Sequence, residues 1–200
     1  MIHRLLLDYI LVILIFILIF PIMSLIFILI LTQGGKPIYR DKRVTKNDKI
    51  FSCYKFRTMK VNSDNSIDKL LENDEYKKQW DKYQKLLNDP RITWYGKFLR
   101  RSCLDELPQL INILKGDMSL VGPRPIAVEE KEIYPNNSFK KYISVKPGLT
   151  GWWQIKRSSN VIYSDRVAMN DYYVDNRSLF LDLKIIFFTI FTVINGKGIN

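Results

Sequence analysis

Asp105 and Glu106 stand side by side in the stretch RRSCLDELPQL, behind Arg100 and Arg101 and two residues ahead of Pro108. Adjacent carboxylates repel, so the pair needs positive potential nearby to stay charged. Leu104, Leu107, Leu110-Ile111 and Leu114 recur at helical spacing, and proline is tolerated only in a first turn. A helix is therefore expected to begin close to Asp105 and to stop at Gly116. Both acids then meet the positive end of a helix, which favours anions by ~0.3–1 kcal/mol. Arg100 and Arg101 add compensating charge. A plain helix-capping acid pair would look the same, so the dyad becomes chemical only through its surroundings.

Those surroundings are cationic and stiff. Arg124 is held between Pro123 and Pro125 in GDMSLVGPRP, which restrains its backbone and aims its guanidinium. Lys146-Pro147-Gly148 opens a second rigid turn, VKPGLTGWWQ, that carries a cation and leads into aromatics. Arg57, Arg100, Arg124 and Lys146 are thus four cations on ordered elements, although their separation in sequence does not establish convergence. Converged, they would form a phosphate site beside two carboxylates. Carboxylate and phosphate together call for a divalent cation, and Mg2+ is usually bound by one or two carboxylates plus substrate phosphates. The single His3 sits at the terminus and excludes histidine acid–base chemistry and histidine-ligated metal. Cys53 and Cys103 have no metal or CxxC spacing and read as ordinary reduced thiols.

The elements that must position these residues are coarse but readable. The chain has 200 residues, enough for one domain plus an appendage, and a net charge of +11 that points to phosphates, nucleic acid or an anionic lipid surface. Leu5 to Leu31 is apolar except for Asp8, Pro21 and Ser24, with Tyr9 at its edge. It is too long for a signal-peptide core. A straight helix of that length would reach about 40 Å, enough to cross a bilayer. Pro21 divides it into arms of about 24 and 15 Å, neither of which spans alone. His3-Arg4 before it, and Lys36, Arg40, Lys42 and Arg43 after it, pull both flanks to the cytoplasmic side. A re-entrant helix satisfies both pulls; a kinked span remains open on the residues alone.

Lys36 to Lys60 carries nine basic residues against two acidic ones. Its alternation around Pro37-Ile38-Tyr39 and Ile50 to Phe56 predicts two short strands joined by a turn at Lys46-Asn47-Asp48. Asn62 to Asp89 carries Ile67, Leu71, Tyr76, Trp80, Tyr83 and Leu87 near helical spacing, read as a surface helix whose aromatic stripe packs on the body. Leu179 to Ile194 is apolar apart from Asp182, Lys184 and two threonines, and is read as an interfacial element ending at Gly196 and Gly198.

At this point the chain resembles a known family, the bacterial sugar transferases (monotopic polyprenyl-phosphate phosphoglycosyl transferases). The resemblance covers nearly the whole chain and is carried by YKFRTM, GKFLRRSCLDELPQLINILKGDMSLVGPRP, KPGLTGWWQ and DYYVDNRSLFLDLKII. It implies an α-rich α/β catalytic domain, residues 36–200, on a re-entrant membrane helix, residues 1–35, at the cytoplasmic face of the bacterial inner membrane. It implies transfer of a sugar 1-phosphate from a UDP-sugar to undecaprenyl phosphate, with UMP released, as the first membrane step of glycan assembly.

By the same resemblance Asp105 is the nucleophile and Mg2+ contact, and Glu106 its acid–base or orienting partner. Arg57, Arg100 and Arg124 match phosphate-holding positions, and Lys146-Pro147-Gly148 a basic turn near the nucleotide. The inserted Asn62–Asp89 helix and the ending YSDRV…DYYVDNRSL look more like the galactose- or glucose-1-phosphate branch than the N-acetylhexosamine branch. A homodimer is compatible with the resemblance. The chain departs from the family at Phe20, where a serine commonly precedes the membrane proline, and at Cys103, where serine or threonine is usual. It also has Lys156-Arg157-Ser158-Ser159 where a Gly-Arg pair is common. A reading from another class, a membrane-tethered module for anionic lipid or nucleic acid, would use the charge alone and leave Asp105 and Glu106 dispensable. No aromatic-basic strand motif supports it, and no nucleic-acid partner is expected.

Overall fold

An uninterrupted apolar run cannot hydrogen-bond its backbone to its own side chains, so it closes into the helix that satisfies every peptide group internally. In the computed structural model, which describes residues 2–61, 63, 67–84, 86, 88–156 and 161–194, this is α1, Ile2–Thr32. The side chains of His3 and Arg4, Leu87, Arg157-Ser158-Ser159, Gly196 and Gly198 lie outside the described residues. Pro21 sits inside α1 without dividing it, so the helix reaches ~46 Å as one element. The Ser24 hydroxyl donates to the Phe20 carbonyl at 2.9 Å, so a serine does serve the backbone beside the proline, from the turn after it. Gly34 and Gly35, at φ +76° and +73°, turn the chain away after the last helical residue.

α1 packs on the body through two clusters that share Phe16. Val12 is wholly buried with Phe51, Leu110, Ile113, Leu120 and Ile185, flanked by Leu11, Ile15 and Phe16. Met23, Ile26 and Ile30 are buried with Phe56, Tyr95 and Leu99. The remaining face stays exposed, from Ile10 and Leu14 through Leu18, Leu25 and Ile28 to Leu31.

The basic segment folds as the alternation predicts. Strands β1, Ile38–Thr45, and β2, Lys49–Phe56, pair antiparallel from Ile38↔Phe56 to Thr45↔Lys49 across a 3-10 turn at Lys46–Asp48. The free edge of β2 is closed by a side chain. Tyr54 N–H donates to Asn112 Oδ1 at 2.9 Å, and Asn112 Nδ2 donates to the Ser52 carbonyl at 2.8 Å. The amide thus imitates a neighbouring strand and docks its own helix on the sheet.

The acidic segment departs from the sequence reading. It forms two helices, α2, Ile67–Leu71, and α3, Asp74–Tyr83, because the Asn73 side chain accepts from the Glu75 and Tyr76 amides and starts a new helix. Neither helix buries a residue, so the Tyr76–Trp80–Tyr83 stripe is half-covered surface and not core. Then follow α4, Trp94–Arg101, and α5, Gln109–Leu114. Strand β3, Ser119–Val121, runs parallel to β4, Gly148–Thr150, with α6, Asn136–Tyr142, between them. Three helices close the fold: α7, Trp152–Lys156, α8, Tyr163–Asp175, and α9, Leu179–Ile194. On α9, Leu181 and Ile185 are buried while Phe180, Leu183, Phe187 and Phe191 are exposed. Its buried Asp182 accepts from Tyr173 Oη at 2.9 Å. Among the described residues the result is a helix-rich fold with two two-stranded sheets, in line with the α-rich expectation.

Candidate active site

The dyad does not open α5. Asp105 and Glu106 lie in a separate 3-10 turn, Leu104–Glu106, and α5 starts only at Gln109 behind Pro108. The reason is Cys103, which adopts φ +57° and breaks the chain direction after α4. The Gly116 stop is as expected, at φ +81°. The expected helix-end potential is therefore one turn away, and side chains surround the pair instead.

Asp105 is 7% exposed, and its Oδ1 atom is buried with no hydrogen-bond partner. Burial, and then the Glu106 charge beside it, push the Asp105 carboxyl up to about 6 against the pull of Lys55, Arg100 and Arg124. It is thus ionised at neutral pH but poorly satisfied, which is the state of a reactive carboxylate. Glu106 is better held: Lys55 Nζ stands 3.0 Å from its Oε1, and an Arg124 guanidinium nitrogen 3.8 Å from the same atom. Arg100 is fixed by a 2.9 Å bond from its Nε to the Thr58 hydroxyl. Burial pulls the Arg100 pKa down, while Asp105 and Asp89 pull it back up.

A small cleft opens against Glu106, lined by Arg43, Lys55, Gln109, Arg124, Gly148, Leu149 and Gln154. Two loops make it. A Cβ on Gly148 would stand 2.0 Å from the Gly122 nitrogen, and one on Gly151 2.0 Å from the Gly122 carbonyl oxygen. Only glycine permits that approach, and it brings the GPRP loop after β3 against the turn that opens β4.

The sequence-predicted residues divide accordingly. Asp105, Glu106, Arg100, Arg124 and Gly148 come together, and Pro147 supports them by accepting from Ser119 N–H at 2.8 Å. Arg57 is engaged elsewhere: its guanidinium donates to the Ile30 carbonyl at 3.3 Å and to the Gly34 carbonyl, so it clasps the end of α1. Lys146 places its ammonium beside Gly116, outside the residues lining the cleft. Lys55 is the cation the sequence reading passed over. Phe51, Cys53 and Lys55 share one face of β2 by the two-residue period, so burial at Phe51 and Cys53 marks Lys55 as inward-facing. Arg57 lies beyond the end of β2, where that period no longer applies. Gln109, Gln154 and Asn170 are buried polar residues that no local pattern singled out.

The carboxylates suit Mg2+ in one respect that the geometry shows. Asp105 offers a hard, buried oxygen without a partner, while no cluster of three or more potential metal ligands occurs among the described residues. That donor set fits an ion completed by substrate phosphates and does not build a cage from protein alone.

Comparison with known proteins identifies the family. The family model described as "Bacterial sugar transferase" matches residues 1–196. The chain is 45% identical over 179 residues to the undecaprenyl-phosphate galactose phosphotransferase of Salmonella typhimurium, covering 89% of this chain and 37% of that one. It is 43% identical over 180 residues to the exopolysaccharide production protein ExoY of Rhizobium meliloti, covering 89% and 79%. With the UDP-glucose:undecaprenyl-phosphate glucose-1-phosphate transferase of Escherichia coli it shares 38% over 192 residues, covering 92% and 38%. The chain spans less than two fifths of the length of the Salmonella and Escherichia relatives. A match over nearly every residue, together with a dyad walled by Lys55, Arg100 and Arg124, places this chain in the bacterial sugar transferase family.

Proposed function

We propose that the chain transfers a hexose 1-phosphate, galactose or glucose, from a UDP-sugar to undecaprenyl phosphate in polysaccharide assembly. The names of the Salmonella and Escherichia relatives support the hexose and the lipid. The observation that carries the chemistry is the buried, unpartnered Asp105 oxygen among three cations. Asp105 attacks the β-phosphorus of the UDP-sugar, an Asp–O–P bond forms, and the bond to the bridging oxygen breaks so that UMP leaves with that oxygen. An oxygen of undecaprenyl phosphate then attacks the same phosphorus, and the Asp–O–P bond breaks to give undecaprenyl-diphosphate-sugar. Arg100, Arg124 and Lys55 neutralise charge on the phosphoryl oxygens, which supplies most of the catalysis in phosphoryl transfer. Glu106 orients the acceptor or moves its proton. Asp105 would hold Mg2+ through its free oxygen, and the ion would offset phosphate charge. Arg57 acts at the end of α1 in this scheme.

Residues 1–35 are, in this reading, a re-entrant anchor of the catalytic body at the cytoplasmic face. Val12 and Ile30 are both wholly buried against that body although ~27 Å of helix separates them. A spanning helix would carry one of these points out of reach of an aqueous domain. The exposed faces of α1 and α9 supply the apolar surface that a bilayer would cover.

The test needs no lipid in its first step. Protein, Mg2+ and UDP-galactose or UDP-glucose should release close to one equivalent of UMP, and the peptide holding Asp105 should gain the mass of a hexose phosphate. Asp105→Asn should abolish both. Turnover by a folded Asp105→Asn protein, or UMP release only after undecaprenyl phosphate is added, would mean direct attack by the lipid.

A further inference from the structure

We infer that Asn170 is a positioning residue that aims Arg124 at the phosphate site; this rests on the function proposed above. Asn170 lies on α8 and is 2% exposed. Its Oδ1 accepts from the backbone N–H of Arg124 at 3.2 Å, and its Nδ2 donates to Tyr134 Oη at 3.3 Å. The Arg124 N–H, which can only donate, fixes which way the amide faces. Rotating it would turn an NH2 group towards the Arg124 N–H.

On the other side, an Arg43 guanidinium nitrogen donates to the Pro125 carbonyl at 3.0 Å. Arg43 holds its place through a 2.6 Å bond from Nε to Asp41, and Glu130 stands 3.5 Å from the nitrogen that reaches Pro125. Glu130 is also bonded to Arg166, so four charges on three segments brace one carbonyl.

The whole loop is held this way. The Pro123 carbonyl accepts from Gly148 N–H at 2.9 Å, and the Ile126 carbonyl from Val44 N–H at 3.1 Å. Pro123 and Pro125 have no N–H to satisfy and fixed φ angles. Arg124 N–H is the one donor between the two prolines, and Asn170 takes it. Every backbone group from the Pro123 carbonyl to the Pro125 carbonyl that has a described partner is held by a different element: β4, α8 or β1. The Arg124 side chain is left to reach Glu106 and the cleft. A guanidinium that must meet phosphoryl oxygens in the transition state is sensitive to placement, since an error of ~1 Å can cost ~100-fold in rate. Asn170 is not among the residues lining the cleft, and its described bond towards the cleft is the one to Arg124.

The experiment compares Asn170→Leu, Asn170→Asp and Arg124→Ala, alone and paired. Asn170→Leu removes the acceptor. Asn170→Asp keeps an oxygen for the Arg124 N–H and can accept from the Tyr134 hydroxyl. Asn170→Ser, too short to reach, serves the same purpose as the leucine variant should that one not fold. Two readouts are taken. Hydrogen exchange of the peptide spanning residues 122–127, measured without substrate, should quicken in Asn170→Leu and stay near the original rate in Asn170→Asp. In steady state with UDP-hexose and undecaprenyl phosphate, Asn170→Leu should lose at least about tenfold in kcat with little change in KM, and Asn170→Asp less than about threefold. In the Arg124→Ala background, Asn170→Leu should cost nothing further.

Unchanged exchange overturns the inference, and so does an equal loss of kcat in both backgrounds, which would mark general damage to packing. Activity of the unchanged protein is a separate check on the proposed function, and the exchange readout does not depend on it.

Discussion

Replacing Asp105 by Asn should stabilise the ligand-free protein above neutral pH while abolishing the first half-reaction. The carboxyl titrates at about 6 in the folded chain, against ~3.9 for an unperturbed aspartate. Its folded-state pKa is raised, so the folded state holds the proton more tightly than the unfolded state. The stability this supplies is present below pH ~4 and is lost as pH rises through about 6. The shift is ~2 pK units, and at 1.36 kcal/mol per unit the ionised carboxylate costs the fold about 3 kcal/mol. Solvent screening removes little of this, because Asp105 is 7% exposed. An Asn amide must itself be buried there and returns part of the gain, leaving ~2 kcal/mol. For a chain of this size that is roughly 4–8 °C in thermal midpoint.

The assay is thermal unfolding of both proteins in detergent, with Mg2+ chelated, from pH 4.5 to 8. The difference between them should be near zero at the acid end, grow through pH 6 and level off above pH 7. Taking the difference cancels the other groups that titrate in this range. Mg2+ with UDP should narrow it by giving the bare carboxylate a partner that the Asn lacks. A difference that is flat with pH, or an Asn variant less stable at pH 8, would show that Asp105 is not a strained carboxylate.

Glu106→Gln should shift the acid limb of UMP burst rate below pH 6, because the Glu106 charge is the second cause holding the Asp105 pKa up; an unshifted limb in stopped-flow measurements would contradict this. Arg124→Lys should lower kcat/KM at least about tenfold, since an ammonium cannot make the planar two-pronged phosphate contact, and unchanged kinetics would leave this arginine a structural role. Gly148→Ala should destabilise and inactivate together, because its Cβ would fall 2.0 Å from the Gly122 nitrogen; a normal thermal midpoint would mean that the two loops can part. Single cysteines at positions 2 and 36, in a background without Cys53 and Cys103, should both be labelled only from the cytoplasmic side, and periplasmic labelling at position 2 would make α1 a span.

Local physics was legible in the residues. The β1–β2 hairpin follows from a two-residue alternation and a short turn; β2 matches the Ile50–Phe56 run to within a residue, while β1 begins at Ile38 but continues six residues past Tyr39 to Thr45. Gly116 ends α5 because it takes φ +81°, and α1 and α9 follow from apolar composition alone. The Asn73 cap that splits α2 from α3 was a local signal too, overlooked in favour of a longer periodicity. The motif block around Asp105 carried the family, since agreement over that length does not arise by chance.

What the residues could not settle were the pairings between distant segments. Lys55 and Glu106 are 51 positions apart, Arg124 and Asn170 46, and Arg43 and Pro125 82. Arg57 and Lys55 are equally plausible phosphate contacts in YKFRTM. The choice between them was made by where β2 ends, which puts one cation in the cleft and the other on the end of α1. Composition and period describe how a segment satisfies its own backbone and which face it buries. They say nothing about which partner meets that face. At this site, the crossing of Gly122 with Gly148 and the amide bonds of Asn112 and Asn170 chose the partners, and those contacts exist only once the chain has closed.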